Sequence, residues 1–254
     1  MTVKFLGTGT SQGVPVIACD CPVCTSPNVK DNRLRSSVLV ELEGKNIVID
    51  TGPDFRYQML RAHVTHLDAV LFTHSHKDHV AGLDDVRAFN RQQGAAVDIY
   101  GTRDVHEALQ REFYYAFSAK RYPGVPMLNL HEITSAPFRL FGHDVVPIEV
   151  MHYMMPVLGF RIGHFTYITD AKTVDDSQVE KMAGTRVLVV NALQRDAHIS
   201  HFTLAEAVAF AQRIGAEQTY FTHISHRLGL HSEVEGELPR GIHLAYDGLE
   251  LIIP

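Results

Sequence analysis

Thr73-His74-Ser75-His76-Lys77-Asp78-His79 stands at the end of a short, apolar, β-rich run, Ala69 to Thr73. Four potential ligands fall within six residues. A strand end gives side chains a rigid support, and the loop beyond it can fold them around an ion. His74 and His76 are two apart, so in an extended segment they point the same way. Asp78 and His79 lie where the chain can turn back. Imidazole and carboxylate together suit zinc, manganese or iron. A His-x-His pair alone says little; His-x-His-x-Asp-His after an apolar strand is far more specific. One short loop does not complete two metal sites, so partners are expected at later strand ends. Three ligand-type residues stand there: His152 after Val145 to Val150, Asp170 closing Phe165 to Thr169, and His223 closing Gln218 to Thr222.

Outward from that cluster, the pattern of apolar runs and turn residues predicts strands and helices in both halves of the chain. Val3 to Leu6 is a strand, followed by the turn Gly7-Thr8-Gly9-Thr10. Ser37 to Leu42 and Asn46 to Ile49 pair across Glu43-Gly44-Lys45. Helices are predicted over Phe55 to Ala62, Gly82 to Gln92 and Arg103 to Phe117, with a strand at Val97 to Tyr100. The second half repeats the organisation. Strands are predicted at Phe138 to Phe141, Val145 to Val150, Gly159 to Ile162, Phe165 to Thr169, Val187 to Asn191, Gln218 to Thr222 and Leu249 to Ile252. Helices are predicted at Gln178 to Met182 and Leu204 to Ile214. Paired strands that then alternate with helices suggest an α/β protein of two mixed sheets packed face to face. No long linker interrupts 1–254, so a single domain is expected.

Composition narrows the function. The chain has 254 residues, 45% hydrophobic and 20% charged, ordinary for a globular protein. No apolar run approaches the length that crosses a bilayer, and the opening MTVKFLGTGT does not read as a secretory signal. A cytoplasmic location and no membrane partner are expected. A net charge of −6 without a basic block disfavours nucleic acid as partner and favours a small molecule. Sixteen histidines point to metal or acid–base chemistry. No serine or cysteine sits in a recognisable nucleophile setting.

On these residues the chain resembles the metallo-β-lactamase superfamily, from its first strand to its last. The resemblance implies an αββα sandwich with two divalent ions, zinc, manganese or iron, at one edge. His74, His76 and His152 would hold one ion. Asp78, His79 and His223 would hold the other, and Asp170 would bridge them. Asp50, in Ile49-Asp50-Thr51-Gly52, matches a position that supports the ligands without being one. Water on such an ion loses its proton near neutral pH and becomes the nucleophile. The leaving group then needs a proton donor. The segment Ala197-His198-Ile199-Ser200-His201-Phe202-Thr203-Leu204 precedes a helix that Ser200 or Thr203 would cap. His-Phe-Thr-Leu is similar to the His-x-Thr segment of the phosphodiesterase branch. This makes His201 the expected general acid, with Asp78 beside it in the catalytic centre and His198 in reserve.

Cys19, Cys21 and Cys24 are the only cysteines, all in one loop. An odd number argues against a disulfide framework, and three thiolates lack one ligand for a closed structural zinc site. Spacing alone leaves the fourth open. Gly7-Thr8-Gly9-Thr10-Ser11-Gln12-Gly13-Val14-Pro15 ahead of Cys-x-Cys-x2-Cys, with Thr222-His223-Ile224-Ser225-His226 near the end, is similar to the PhnP type of phosphodiesterase. That resemblance implies His226 as fourth ligand of a structural zinc. It further implies 5-phosphoribosyl 1,2-cyclic phosphate as substrate, and a homodimer. The opening glycines would either admit a phosphate to the backbone or serve as a structural turn. Arg33, Arg35 and Arg56 are candidates for a phosphate but read first as ordinary surface charges. The aromatic segment from Arg111 to Phe117 and on to Tyr122-Pro123-Gly124 reads as core or dimer contact.

Three alternatives remain open. A tRNA 3′-processing endonuclease would share the ligands, against the acidic charge and the lack of a basic arm. A glyoxalase II type thioester hydrolase would share them too, but gives no reason for the cysteine loop. A non-catalytic metal-binding accessory protein would not need His201. Replacing His76 by Ala is expected to abolish hydrolysis while circular dichroism stays native. Wild-type turnover in that variant would remove His76 from the metal site.

Overall fold

A computed structural model describes residues 1–120 and 122–254. One sheet is built mainly from the first half: β1 (Thr2–Gly7), β2 (Ser37–Leu42), β3 (Lys45–Ile49), β4 (Ala69–Leu71), β5 (Val97–Gly101) and β6 (Leu128–Glu132). The other holds β7 (Phe138–Leu140), β8 (His143–His152), β9 (Met155–Ile162), β10 (Phe165–Tyr167), β11 (Val187–Asn191), β12 (Gln218–Thr222) and β13 (Ile242–Leu244). The last strand, β14 (Glu250–Ile252), returns to the first sheet beside β1. Each sheet has seven strands. Each also changes character midway: β1 to β3 and β7 to β10 pair antiparallel, whereas β3 to β6 and β10 to β13 pair parallel. The expected αββα sandwich is what the chain forms.

Period-two alternation divides the strand residues between two cores. Val38, Val40, Ile47, Ile49 and Leu71 face the second sheet and meet Leu158, Phe160, Phe165, Tyr167 and Val189. Leu39, Val48 and Val70 point the other way, against α1 (Phe55–Arg61), α3 (Arg87–Gln93) and α4 (Arg103–Glu112). The second sheet does the same on its outer face, where Leu188, Val190 and Phe221 pack under α7 (Leu204–Ile214) and α8 (His231–Glu237). Strands buried on both faces need apolar residues at every position, which explains their unbroken hydrophobic runs. Each large side chain closed off between the sheets contributes roughly 1.5–3 kcal/mol relative to exposure.

Local chemistry sets the element ends nearest the histidines. Helix α7 begins at a capping box: the Glu206 amide donates to Thr203 Oγ1 at 3.2 Å, and the Thr203 amide donates to the Glu206 carboxylate at 2.8 Å. Of the two expected caps it is Thr203 that serves. The capped residue lies two after His201, so the cap fixes how the His198–His201 segment enters the helix.

Some expected elements differ. The helix expected over Arg103 to Phe117 breaks at Phe113 (φ −111°, ψ 38°) into α4 and α5 (Tyr114–Phe117). The break keeps Phe113 and Ala116 in the outer core while the Tyr115 hydroxyl donates to Asp84 at 2.6 Å. This segment is thus core on one side, with Tyr114 and Tyr122 exposed on the other. The helix expected from Gly82 starts as a 3-10 turn, Leu83–Val86, before α3. Strands β6 and β13 and helix α8 were not expected. Helix α2 (Lys77–Val80) and the 3-10 turn Val29–Asp31 add to these, and the helix expected over Gln178 to Met182 runs instead as α6 (Asp176–Glu180).

Candidate metal centre

The ends of β3, β4, β8, β10 and β12 bring the histidines and carboxylates to one edge of the sandwich. Reversing a strand end so that its side chain turns back over the sheet edge requires unusual backbone. Asp50 (φ 64°), Asp170 (φ 56°) and His223 (φ 55°) all adopt left-handed conformations. Such conformations cost free energy for any residue but glycine, and they gather where function demands them.

Asp50 is fully buried just after β3 and organises the histidine loop. Its carboxylate accepts from the Thr73 amide at 2.9 Å and the Thr73 hydroxyl at 2.8 Å, and from His79 Nδ1 at 2.7 Å. Burial raises the Asp50 carboxyl pKa, and these donors oppose that rise. The Thr73 hydroxyl has one proton, given to Asp50, so its oxygen accepts from His74 Nδ1 at 2.9 Å. One carboxylate therefore engages Nδ1 of two histidines, His79 directly and His74 through Thr73, and so turns Nε2 of each ring toward the cluster. His152 is set likewise, with Nδ1 donating to the Ser200 carbonyl at 2.9 Å. Gly52 allows this close assembly, since a Cβ there would lie 2.2 Å from the Asp78 carbonyl oxygen.

The cluster's polar atoms call for a cation. His74 Nε2 and His79 Nε2 are buried without a hydrogen-bond partner, a condition that costs about 1–3 kcal/mol for each group unless something meets it. His79 Nε2 lies 3.2 Å from Asp78 Oδ2 and 3.3 Å from Asp170 Oδ2. Burial would lower the His79 pKa, but Asp170, Asp50 and Asp78 push it well above its ordinary value, so these carboxylates call for positive charge at this nitrogen, as a ring proton or as an ion. Burial would raise the Asp170 carboxyl pKa, but His223, His79 and His201 around it hold it well below the ordinary range. His223 Nε2 is 3.3 Å from Asp170 Oδ1. Three imidazoles on one tetrahedral ion have ring centroids roughly 5 Å apart. Those of His74, His76 and His152 are 4.6, 5.2 and 5.9 Å apart.

The residues expected to hold the two ions lie in this region together with Asp50 and His201, with two differences of placement. His76 is exposed at the rim, outside the tightest groups of ligand atoms, which are His74–His79–Asp170, Asp78–His79–His223 and His152–Asp170–His201. His201 sits deeper than a proton donor at the edge would. It is 8% exposed, with Nε2 2.9 Å from Asp170 Oδ1 and its ring stacked on His223 at 5.0 Å. Behind it, His201 Nδ1 lies 3.2 Å from His198 Nδ1 and 3.1 Å from the Ser200 hydroxyl. No sequence signal marked that depth, because it depends on where Thr203 caps α7.

The cysteine loop forms a second group. His226 Nδ1 lies 3.3 Å from Cys19 Sγ, 3.4 Å from Cys21 Sγ and 3.5 Å from Cys24 Sγ. One nitrogen cannot hydrogen-bond three thiols. A tetrahedral ion with bonds of about 2.0–2.3 Å sets its ligand atoms roughly 3.3–3.8 Å apart, which these distances match. The Cys24 amide on its sulfur lowers the Cys21 thiol to about 6, whereas burial pushes the Cys24 thiol up to about 11, so one thiolate among the three is favoured without an ion.

Two readings of the neighbouring loop change. Arg33 is not a surface charge: it is 4% exposed and donates to Thr8 Oγ1 (2.8 Å) and the Ala245 carbonyl (2.7 Å). Arg35 is tied to Asp54 at 3.2 Å and to the Ser11 carbonyl at 3.2 Å, while Arg56 is exposed. Gly7 packs on the strand beside it, where a Cβ would lie 2.0 Å from the Arg35 carbonyl oxygen. The opening glycine turn thus serves close packing of backbone.

Comparison with known proteins places this geometry. The profile of the β-lactamase superfamily domain matches residues 45–224. The crystal structure of a new diphosphatase from the PhnP family superposes with a TM-score of 0.93 at 40% identity, covering 100% of this chain and 98% of that one. Zinc-bound PqqB from Methylobacterium extorquens shares the fold, with a TM-score of 0.79 at 20% identity over the full length of both chains. An octanoyltransferase from Porphyromonas gingivalis is 41% identical over 100% of this chain, which spans 52% of that protein. The chain thus spans about half the length, or less, of the first curated relatives it matches.

Two substitutions test the two metal groups separately. Asp50→Asn puts an amide where His79 and Thr73 need acceptors, and is expected to weaken metal retention about 10–100-fold in chelator competition. Unchanged retention would show that Asp50 does not organise the ligands. Cys21→Ser is expected to remove one equivalent of zinc and lower the melting temperature. Unaltered zinc content would mean the cysteine loop binds no ion.

Proposed function

The chain belongs to the β-lactamase superfamily, and we propose that it is a metal-dependent hydrolase of small phosphodiesters. His74, His76 and His152 would hold one divalent ion, Asp78, His79 and His223 the other, with Asp170 between them. The ions would supply Lewis acidity and lower the pKa of water. The observation that carries the reading is His201, whose Nε2 lies 2.9 Å from Asp170 Oδ1 inside the cluster. Asp170 orients that ring, and His198 and the Ser200 hydroxyl back its other nitrogen. Nε2, the nitrogen that Asp170 holds in the cluster, is the atom that would pass a proton to the leaving oxygen.

The leaving group separates the alternatives. An alkoxide is a poor leaving group without a proton, so a fixed imidazole acid is worth most for an alcohol leaving from a phosphodiester. A thiol, with pKa near 8.5, leaves readily as thiolate, so the thioester reading gives His201 less to do. Transfer RNA is disfavoured by the net charge of −6. A purely metal-binding role leaves the His201–Asp170 pair unexplained. The similarity to the PhnP-family diphosphatase favours one second reading, cleavage of a diphosphate diester at the same centre. The Porphyromonas protein is nearly twice as long as the part this chain spans, and we attribute octanoyl transfer to the part not shared.

The test is turnover by zinc- and manganese-loaded protein of 5-phosphoribosyl 1,2-cyclic phosphate, a diphosphate diester, precursor tRNA and a glutathione thioester. Cleavage of the cyclic phosphate is expected, with His201→Ala slowing it about 10²–10⁴-fold. Preference for the diphosphate supports the second reading. Cleavage of tRNA or thioester with both phosphate esters untouched contradicts the proposal.

A further inference from the structure

The β8–β9 hairpin closes in two residues, Tyr153 and Met154, because His152 pairs with Met155. Turns this short favour Asn and Gly, since their central residues take positive φ. Here Tyr153 takes φ 57°, a costly conformation for a bulky side chain. The cost does not secure burial, for Tyr153 is 56% exposed and Met154 75%. Facing them is Ile199, 64% exposed, on the segment that carries His198 and His201. These three side chains share one cavity of about 440 Å³ with Met155, His76 and His152. Ser200, whose carbonyl holds the His152 ring, completes the wall. An apolar lip therefore runs without a break into the metal centre.

We propose that Tyr153, Met154 and Ile199 bind an apolar substituent of the substrate, so that the diester cleaved here carries an alkyl chain or similar group beside its phosphate. The proposal deepens the phosphodiesterase reading and rests on it for the identity of the charged head. A binding site with a few convergent polar groups and an adjoining apolar wall selects ligands with both features. Grouped exposed apolar side chains mark such a surface, whereas single ones do not. Methionine at the tip suits the role, because its unbranched thioether adapts to differently shaped partners. A substrate made of sugar and phosphate alone would leave the lip in water and gain nothing from it.

The probes are methylphosphonate and octylphosphonate, titrated calorimetrically into zinc-loaded full-length protein below the aggregation limit of the longer ligand. The octyl compound is expected to bind on the order of tenfold tighter or more, the scale on which apolar pockets discriminate methylenes. In Met154→Ser/Ile199→Ser that preference should collapse toward equality. Equal binding by the wild-type protein, or a preference that survives the double substitution, overturns the proposal. So does an unchanged preference joined to loss of a dimer in sedimentation, which would make the lip a contact between copies. Failure to cleave any phosphodiester would sink the parent reading while leaving this ratio of affinities intact, so the two are told apart.

Discussion

The buried carboxylate of Asp50 is the constraint around which the site is assembled. It accepts from the Thr73 amide and hydroxyl and from the His79 ring. Through Thr73 it also orders His74. A loop carrying so many ligands in so few residues has many possible arrangements, and ordering it costs conformational entropy. Three hydrogen bonds to one fully buried acceptor restrict that freedom. They also engage Nδ1 of His79 and, through Thr73, of His74, and so turn Nε2 of each ring toward the other ligands.

The rest of the architecture delivers partners to that loop. The two sheets, each antiparallel on one side and parallel on the other, meet through one apolar core. Their strand ends therefore stand at fixed distances from one another. His152, Asp170 and His223 come from three strands of the second sheet, and Asp50 and the histidine loop from two of the first. The capping box of α7 adds His201 by fixing the segment just before the helix. Thr222-His223-Ile224-Ser225-His226 links the centres, with His223 in the cluster and His226 beside the three cysteines.

Much of this was legible in the sequence where one physical rule dominated. Strands β2, β11 and β12 and helix α7 have the boundaries that hydrophobic pattern and turn residues predict, because buried faces and a strong cap leave little choice. The cluster at His74 to His79 was visible because its ligands are adjacent in the chain. Strand β6, Leu-Asn-Leu-His-Glu at the sheet edge, was not, since its burial is slight and its polar residues mask the alternation. Strand β13 has three residues, too short for periodicity to register. The break at Phe113 follows from packing against the rest of the fold, and so does the burial of Arg33. The depth of His201 and the exposed turn at Tyr153 are likewise tertiary facts, set by how strands of one sheet register and where one helix is capped.

The most direct test of the account is the number of divalent ions held per chain, measured by plasma mass spectrometry on protein purified without chelators. The account predicts three ions in the wild-type protein, two at the sheet edge and one at the cysteine loop. Asp170→Ala should keep only the cysteine-bound one. A wild-type chain that holds a single ion, or an Asp170→Ala chain that retains all three, would contradict it.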